Sequence, residues 1–162
     1  MGDRRALEEL YLRHDRRMAY YLRRLLGRDD VDDVRQEVWL TVVRQIARLR
    51  HPEAFVVWLY RIARNCAFSG RTGGLATNEP PTALEDLPDT EEDDPFTPEH
   101  AERIHRGLNQ LSAGHREVLV LRFMEDLSYE QIAEVTATHI GTVRSRLHHA
   151  KLALRRQLEK PS

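Results

Sequence analysis

The sequence predicts an all-α chain built from two small helical domains. Three observations carry that prediction. Apolar residues recur at helical spacing, and no long segment alternates with the period of two that a half-buried strand needs. Six of the seven prolines fall between Pro52 and Pro98, five of them in a stretch from Ser69 to Glu99 that also holds glycines and acids. A loop that long is unusual inside one compact domain, so it reads as a linker. The expected division is residues 1–71, an acidic linker over 72–97, and residues 98–162.

The first helix is expected from Ala6 to Leu26, where Leu7, Leu10, Tyr11, Met18, Leu22 and Leu25 share a face and Gly27 suits the stop. The second begins in "RDDVDDVRQEVWLTVVRQIARL", with a core stripe of Val31, Val34, Val38, Val42, Ile46 and Leu49. Its acids lie at the start, where the helix dipole favours them. "RHP" interrupts, because Pro52 disfavours helix in the residue before it yet is tolerated in a first turn. A third helix follows from about Glu53 to Phe68 on Phe55, Trp58, Leu59, Ile62 and Cys66.

Beyond the linker, Thr97 is the expected N-cap with Pro98 at the first helical position, followed by Ile104, Leu108 and Leu111. Ser112 caps the next helix, whose stripe is Val118, Leu119, Leu121 and Phe123. Ser128 and Gln131 form a capping box that opens a short helix through Val135. "TAT" makes a turn, and the last helix starts near His139.

Composition narrows the class. With 41% hydrophobic and 31% charged residues the chain reads as soluble, and no stretch approaches the roughly 20 apolar residues of a membrane span. "MGDRRALEEL" has early acids and no apolar signal-peptide core, so the cytoplasm is the expected location. Cys66 is the only cysteine, which excludes an internal disulfide and a Cys-rich zinc site and reads as a buried thiol. The formal net charge of −1 hides a segregation. Residues 1–71 hold 15 Arg against 10 acids, Glu79 to Glu99 holds nine acids without a Lys or Arg, and Thr138 to Lys160 holds six Lys plus Arg against one Glu. A basic, acidic, basic order is a statement about partners rather than fold.

The basic end has the order of a helix-turn-helix. With Val143 at 0° and about 100° per residue, Leu147, Ala150 and Leu154 fall within about 40° of it and face the core. Arg144, Ser145, His148 and His149 lie on the opposite arc, with Thr142 at its edge and Arg155 and Arg156 extending it. A helix fits the major groove, where Arg makes bidentate contacts to guanine. A solvated face with cations near the helix C-terminus is the competing reading, against which the capping box and turn weigh. Leu152, on the polar arc, fits neither and reads as a contact for a protein partner.

Two further clusters stay open on their residues alone. Phe55, Trp58 and Tyr60 near Arg61, Arg64 and Asn65 suit unstacked bases, but packing with solvated arginines accounts for them too. Asp29, Asp30, Asp32, Asp33 and Glu37 fit a capped helix start or a protein-contact face. They lack the glycine and alternation of a calcium loop, and the histidine spacings offer no metal site, so neither metal nor cofactor is expected.

In order, "DDVRQEVWL", "FVVWLYRIARN" and "LSYEQIAEVTATHIGTVRSRLHHAKLALRRQL", split by an acidic linker, resemble the bacterial sigma-70 family. The short two-domain form resembles its extracytoplasmic-function group, over about Leu7–Arg71 and Pro98–Leu158. The resemblance implies a region 2-like bundle and a region 4-like helix-turn-helix. It implies that Asp33, Gln36 and Glu37, with Leu40, dock on the clamp coiled coil of the polymerase β′ subunit. It gives Arg48, Arg50, His51, Phe55, Trp58, Tyr60, Arg61, Arg64 and Asn65 to opening and reading the −10 promoter element, where a base is flipped out and held. It gives Thr142, Arg144, Ser145, His148, His149 and Arg155 to the −35 element. Its implied partners are core RNA polymerase (the β′ clamp helices and the β flap), promoter DNA and an anti-sigma factor. The linker would then run into the RNA-exit path.

The chain departs from the family pattern in three places. Ser69 stands where Asp is usual, Ala137 and Thr138 stand where the turn often carries Gly and an apolar residue, and the basic tail near Arg71 dissolves into "TGG". Ala137 takes positive φ only at a cost, so the turn is expected to differ in type. The function implied is that of an alternative sigma factor, which performs no chemistry itself. A stand-alone helix-turn-helix regulator is the alternative. A helical enzyme using carboxylates near Asp33 lacks a nucleophile, a phosphate loop or a ligand set.

Overall fold

The structure, a computed structural model, describes residues 2–69 and 101–160. The expected linker over 72–97, with Thr97 and Pro98, lies outside the described residues. Among the described residues there are seven α-helices and no strand: α1 (Gly2–Leu26), α2 (Asp32–Gln45), α3 (Phe55–Phe68), α4 (Ala101–Asn109), α5 (Ala113–Leu119), α6 (Tyr129–Thr136) and α7 (Ile140–Leu158). Two 3-10 turns, Ile46–Arg48 and Pro52–Ala54, join α2 to α3, and α5 runs on into a π turn over Val120–Met124.

The first unit, α1 to α3, closes on Met18, Leu22, Leu25, Val31, Val38, Val42, Phe55, Leu59 and Ile62, all buried. Gly27 ends α1 at φ +65, a conformation glycine adopts without a Cβ penalty. The second helix stops at Gln45, short of the expected Leu49. Pro52 holds His51 extended (φ −122, ψ 99) and Leu49 is extended as well, so Ile46 and Leu49 are half-buried rather than a continued core stripe. Tyr11 also leaves the expected core: it is 38% exposed, its ring 5.1 Å from that of Trp39.

The second unit, α4 to α7, is built on Ile104, Leu108, Val118, Leu119, Leu121, Ile132, Val143, Leu147, Ala150 and Leu154. Helices α4 and α7 approach closely at Gly107, where a Cβ would stand 2.8 Å from Leu154 Cδ1. Ser112 caps α5 as expected, accepting from the His115 amide at 3.3 Å. The π turn then alters the helical register, because its bonds span five residues. Val120 is buried and Phe123, expected in the core stripe, is half-buried with the Lys151 ammonium 5.3 Å from its ring centre.

The two units pack against each other, α1 on α5 and α3 on α6. Tyr21 and Tyr60 sit at this junction, wholly buried, with ring centres 5.0 Å apart in an edge-to-face pair. Tyr21 falls inside the arc of the α1 stripe, three residues after Met18 and four before Leu25, and the second unit covers it, its hydroxyl donating to Glu117 Oε1 at 2.7 Å.

Candidate nucleic-acid interface

The helix-turn-helix forms from local chemistry. The Gln131 amide donates to Ser128 Oγ at 3.2 Å, and the Ser128 amide donates to Gln131 Oε1 at 2.9 Å, completing the capping box at the start of α6. At the other end Ala137 adopts the left-handed conformation (φ 52, ψ 44), and the Thr138 amide donates to Ala133 O at 3.1 Å. This corrects the expectation of a different turn. The C-terminal closing bond and the Thr136–Thr138 hydroxyl contact at 2.9 Å hold a geometry that costs an alanine roughly 1–2 kcal/mol.

Helix α7 is phased as its sequence predicts. Val143, Leu147, Ala150 and Leu154 are 0–4% exposed. Thr142, His148 and Arg155 are exposed, and Arg144, Ser145 and His149 are half-buried on the outward side. Leu152 is 37% exposed, as its place on the polar arc requires. Arg146 goes the other way and is buried between the two arcs.

The expected −10 residues separate into three groups. Arg48, Arg50, His51 and Asn65 are exposed. Phe55 is buried and Trp58 half-buried, their ring centres 5.9 Å apart, with His14 5.2 Å from Phe55 on the other side. Tyr60, Arg61 and Arg64 face the second unit. Tyr60 is wholly buried, Arg61 pairs with Glu134 at 3.3 Å, and Arg64 Nε donates to Glu117 Oε1 at 2.8 Å. Ser69 closes α3: its amide donates to Asn65 O at 2.8 Å and its hydroxyl to Cys66 O at 3.0 Å. Cys66 is half-buried rather than fully enclosed, and burial pushes its thiol up.

Asp33, Gln36, Glu37 and Leu40 are all exposed on α2. Asp33 is held below the usual carboxylate range, first by the Val34 backbone amide and further by Arg28 at 3.3 Å. Gln36 and Leu40 line a groove of about 480 Å³ between α1 and α2, shared with Tyr11, Asp32, Arg35, Trp39 and Val43. Asp15 braces its floor, accepting from Trp39 Nε1 and Arg35 Nε, each at 2.8 Å. Leu12 (74% exposed) and Val43 (57%) extend the apolar surface. Sequence reasoning missed Leu12, Trp39 and Val43 and assigned Tyr11 to the core. The signal was available: Trp39 and Val43 are spaced i, i+4 beside the Val38–Val42 core stripe. Among the described residues no three His, Cys, Asp or Glu side chains converge as a metal would require, and no helix is long and apolar enough to cross a membrane.

Comparisons with known proteins align with this layout. The family model "Sigma-70 region 2" matches residues 10–71, and "Sigma-70, region 4" matches residues 101–154. The chain is 33% identical to the ECF RNA polymerase sigma-E factor of Haemophilus influenzae, over 98% of this chain and 90% of that one. It is 33% identical to the RNA polymerase sigma-H factor of Pseudomonas aeruginosa, covering 98% and 89%, and 30% identical to the ECF sigma-E factor of Escherichia coli K12, covering 94% and 86%. Among solved structures, CnrH in complex with the cytosolic domain of CnrY matches with a TM-score of 0.66 and 25% identity, over 99% of this chain and 92% of that one. The sigma factor RpoE of Bartonella quintana, solved with the anti-sigma factor NepR, shares the fold with a TM-score of 0.68 at 20% identity, over 96% and 98%.

Proposed function

The chain belongs to the sigma-70 family, in its extracytoplasmic-function group, and we infer that its two helical units divide promoter recognition between them. It is an alternative sigma factor that directs transcription initiation. The observation that carries this reading is the occurrence of both family regions, in order, in a chain that spans 90% of a 33%-identical sigma-E factor.

The division of labour proposed here follows the expected boundaries, 1–71, 72–97 and 98–162. On this reading the α1–α2 groove takes the β′ clamp coiled coil. Trp39, Leu40 and Val43 supply apolar area and Asp33, Gln36 and Glu37 the polar rim, the composition a protein interface favours. The loop carrying Arg48, Arg50 and His51, with Tyr60, Arg61, Arg64 and Asn65 on α3, takes the opened −10 strand. The outward arc of α7 enters the major groove of the −35 element, with Arg144 reading a base and Arg155 holding phosphate. The second unit also meets the β flap.

The factor makes and breaks no bonds: its binding energy selects where the polymerase opens DNA. The work is done in the cytoplasm, and an anti-sigma protein of the kind bound to the Bartonella quintana neighbour is a fitting regulator.

Run-off transcription with purified core polymerase on genomic fragments tests the reading. Discrete, factor-dependent transcripts are expected. Sequence-specific DNA binding by the chain alone, with no transcript on adding polymerase, would replace it with the stand-alone regulator.

A further inference from the structure

Asp15 on α1 is not among the residues that the sequence assigns to a site, yet two side chains of the α1–α2 groove are held by it. Its Oδ1 accepts from Trp39 Nε1 and from Arg35 Nε, each at 2.8 Å, and its side chain is only 14% exposed. The groove is lined by Tyr11, Asp32, Arg35 and Trp39, and Asp15 lies beneath them. The rest of the Arg35 guanidinium is tied to the groove walls, one terminal nitrogen donating to the Tyr11 hydroxyl at 2.9 Å and the other to Asp32 Oδ1 at 3.4 Å. Tyr11 in turn leans on Trp39, the rings tilted by 57°.

We propose that Asp15 is a positioning residue for polymerase binding: it fixes Trp39 and Arg35 in the arrangement that the groove presents to its partner. The proposal rests on the reading that this groove takes the β′ clamp coiled coil. Two physical effects carry it. An indole has one polar atom, a donor, and Asp15 occupies that donor from below. Trp39 therefore meets a partner as apolar surface, with no N–H to desolvate. Arg35 is a long side chain whose rotamer freedom is lost on docking unless it is already fixed, and here three of its nitrogens are engaged before any partner arrives. A carboxylate suits both tasks, because one oxygen takes both donors and its charge strengthens the bond to the guanidinium.

The test uses the full chain as wild type, Asp15→Ala, Asp15→Asn and Leu40→Asp, each competing with fluorescein-labelled wild type for purified core RNA polymerase. Leu40 is an exposed groove residue, so Leu40→Asp probes the groove without touching Asp15. Fluorine NMR of 5-fluorotryptophan-labelled protein reads Trp39, whose resonance is identified by its absence in Trp39→Phe. Asp15→Ala is expected to weaken binding roughly tenfold, the scale of two side chains left to be ordered on docking, and to shift and broaden the Trp39 resonance. Asp15→Asn keeps an oxygen for the indole and drops the charge, so it is expected to lose only about threefold and to restore the resonance. In a Trp39→Phe background, which has no indole donor, Asp15→Ala is expected to cost about threefold, the share that belongs to Arg35.

Equal losses in both backgrounds with an unmoved Trp39 resonance would make Asp15 a fold-stabilising residue alone and overturn the proposal. Wild-type affinity in Asp15→Ala beside weakened binding in Leu40→Asp also overturns it, while the groove keeps its assignment. Wild-type affinity in Leu40→Asp overturns the assignment of the groove and the proposal with it. Should Asp15→Ala lose helicity, Asp15→Asn in the two backgrounds carries the same comparison.

Discussion

Arg64 and Glu117 lie 53 positions apart and meet at 2.8 Å, with the Glu117 side chain wholly buried and that of Arg64 one-fifth exposed. This contact joins α3, the helix that carries most of the expected −10 residues, to α5 in the second unit. Removing one partner of such a buried pair costs roughly 3–5 kcal/mol, because the other charge is left in a dry site. The pair therefore ties the packing of the two units to one buried carboxylate.

The α2 surface is expected to tolerate charge reversal structurally and to lose its partner. Glu37 is exposed, so Glu37→Lys should leave helicity unchanged while weakening core-polymerase binding by roughly tenfold. Circular dichroism and a polymerase pull-down check it together. A fall in helicity alongside binding would make Glu37 structural.

Arg144 and Arg155 are expected to differ in kind. Arg144→Ala should remove a base contact, costing roughly 1–3 kcal/mol and relaxing preference at one upstream position. Arg155→Ala, a phosphate contact, should weaken all sequences alike and reduce the salt dependence by about one charge. Transcription from a promoter library at two salt concentrations separates them. A reversal of the two phenotypes would place the reading face elsewhere on α7.

The turn of the helix-turn-helix offers a stabilising change. Ala137 sits at φ 52, where glycine has no Cβ to accommodate. Ala137→Gly gives back part of the roughly 1–2 kcal/mol of strain but adds chain entropy to the unfolded state, for a net gain of about 0.5–1 kcal/mol. Thermal denaturation should show a rise of about 2–3 °C. A lower midpoint would mean that the left-handed conformation is not retained in solution.

Acid is expected to destabilise the fold through two histidines. Burial, then Arg13 and Arg17, hold the His14 imidazole below its ordinary 6.5, and burial, then Arg24, do the same for His105. Folding therefore favours the neutral form. As pH falls through about 6.5 the unfolded chain takes up protons first, so stability is complete above that value and declines below it. Urea denaturation at pH 7.5 and 5.5 should show lower stability at 5.5, with a smaller difference in His14→Gln. An equal difference in that variant would assign the acid sensitivity to other groups.

Much of the candidate site was legible because it depends on neighbours a few residues away. The arc of Arg144, Ser145, His148 and His149 follows from the core positions Val143, Leu147 and Leu154 on the same helix. The exposed Asp33, Gln36, Glu37 and Leu40 follow in the same way from Val38 and Val42. The π turn at Val120–Met124 was not legible, since nothing in its run distinguishes an i+5 from an i+4 bond.

By itself the sequence determined the all-α class, the Ser128–Gln131 capping box, the Gly27 stop and the phase of α7, all set by interactions within one or two helical turns. Only the tertiary structure decided that Tyr60 is buried, that Tyr11 is not, and that Arg61 and Arg64 meet carboxylates rather than solvent. Tyr21 and Glu117 are 96 positions apart, and no periodicity in either helix encodes that they will face each other. Helical spacing ranks positions around one axis, whereas burial of a second face depends on what another part of the chain brings to it.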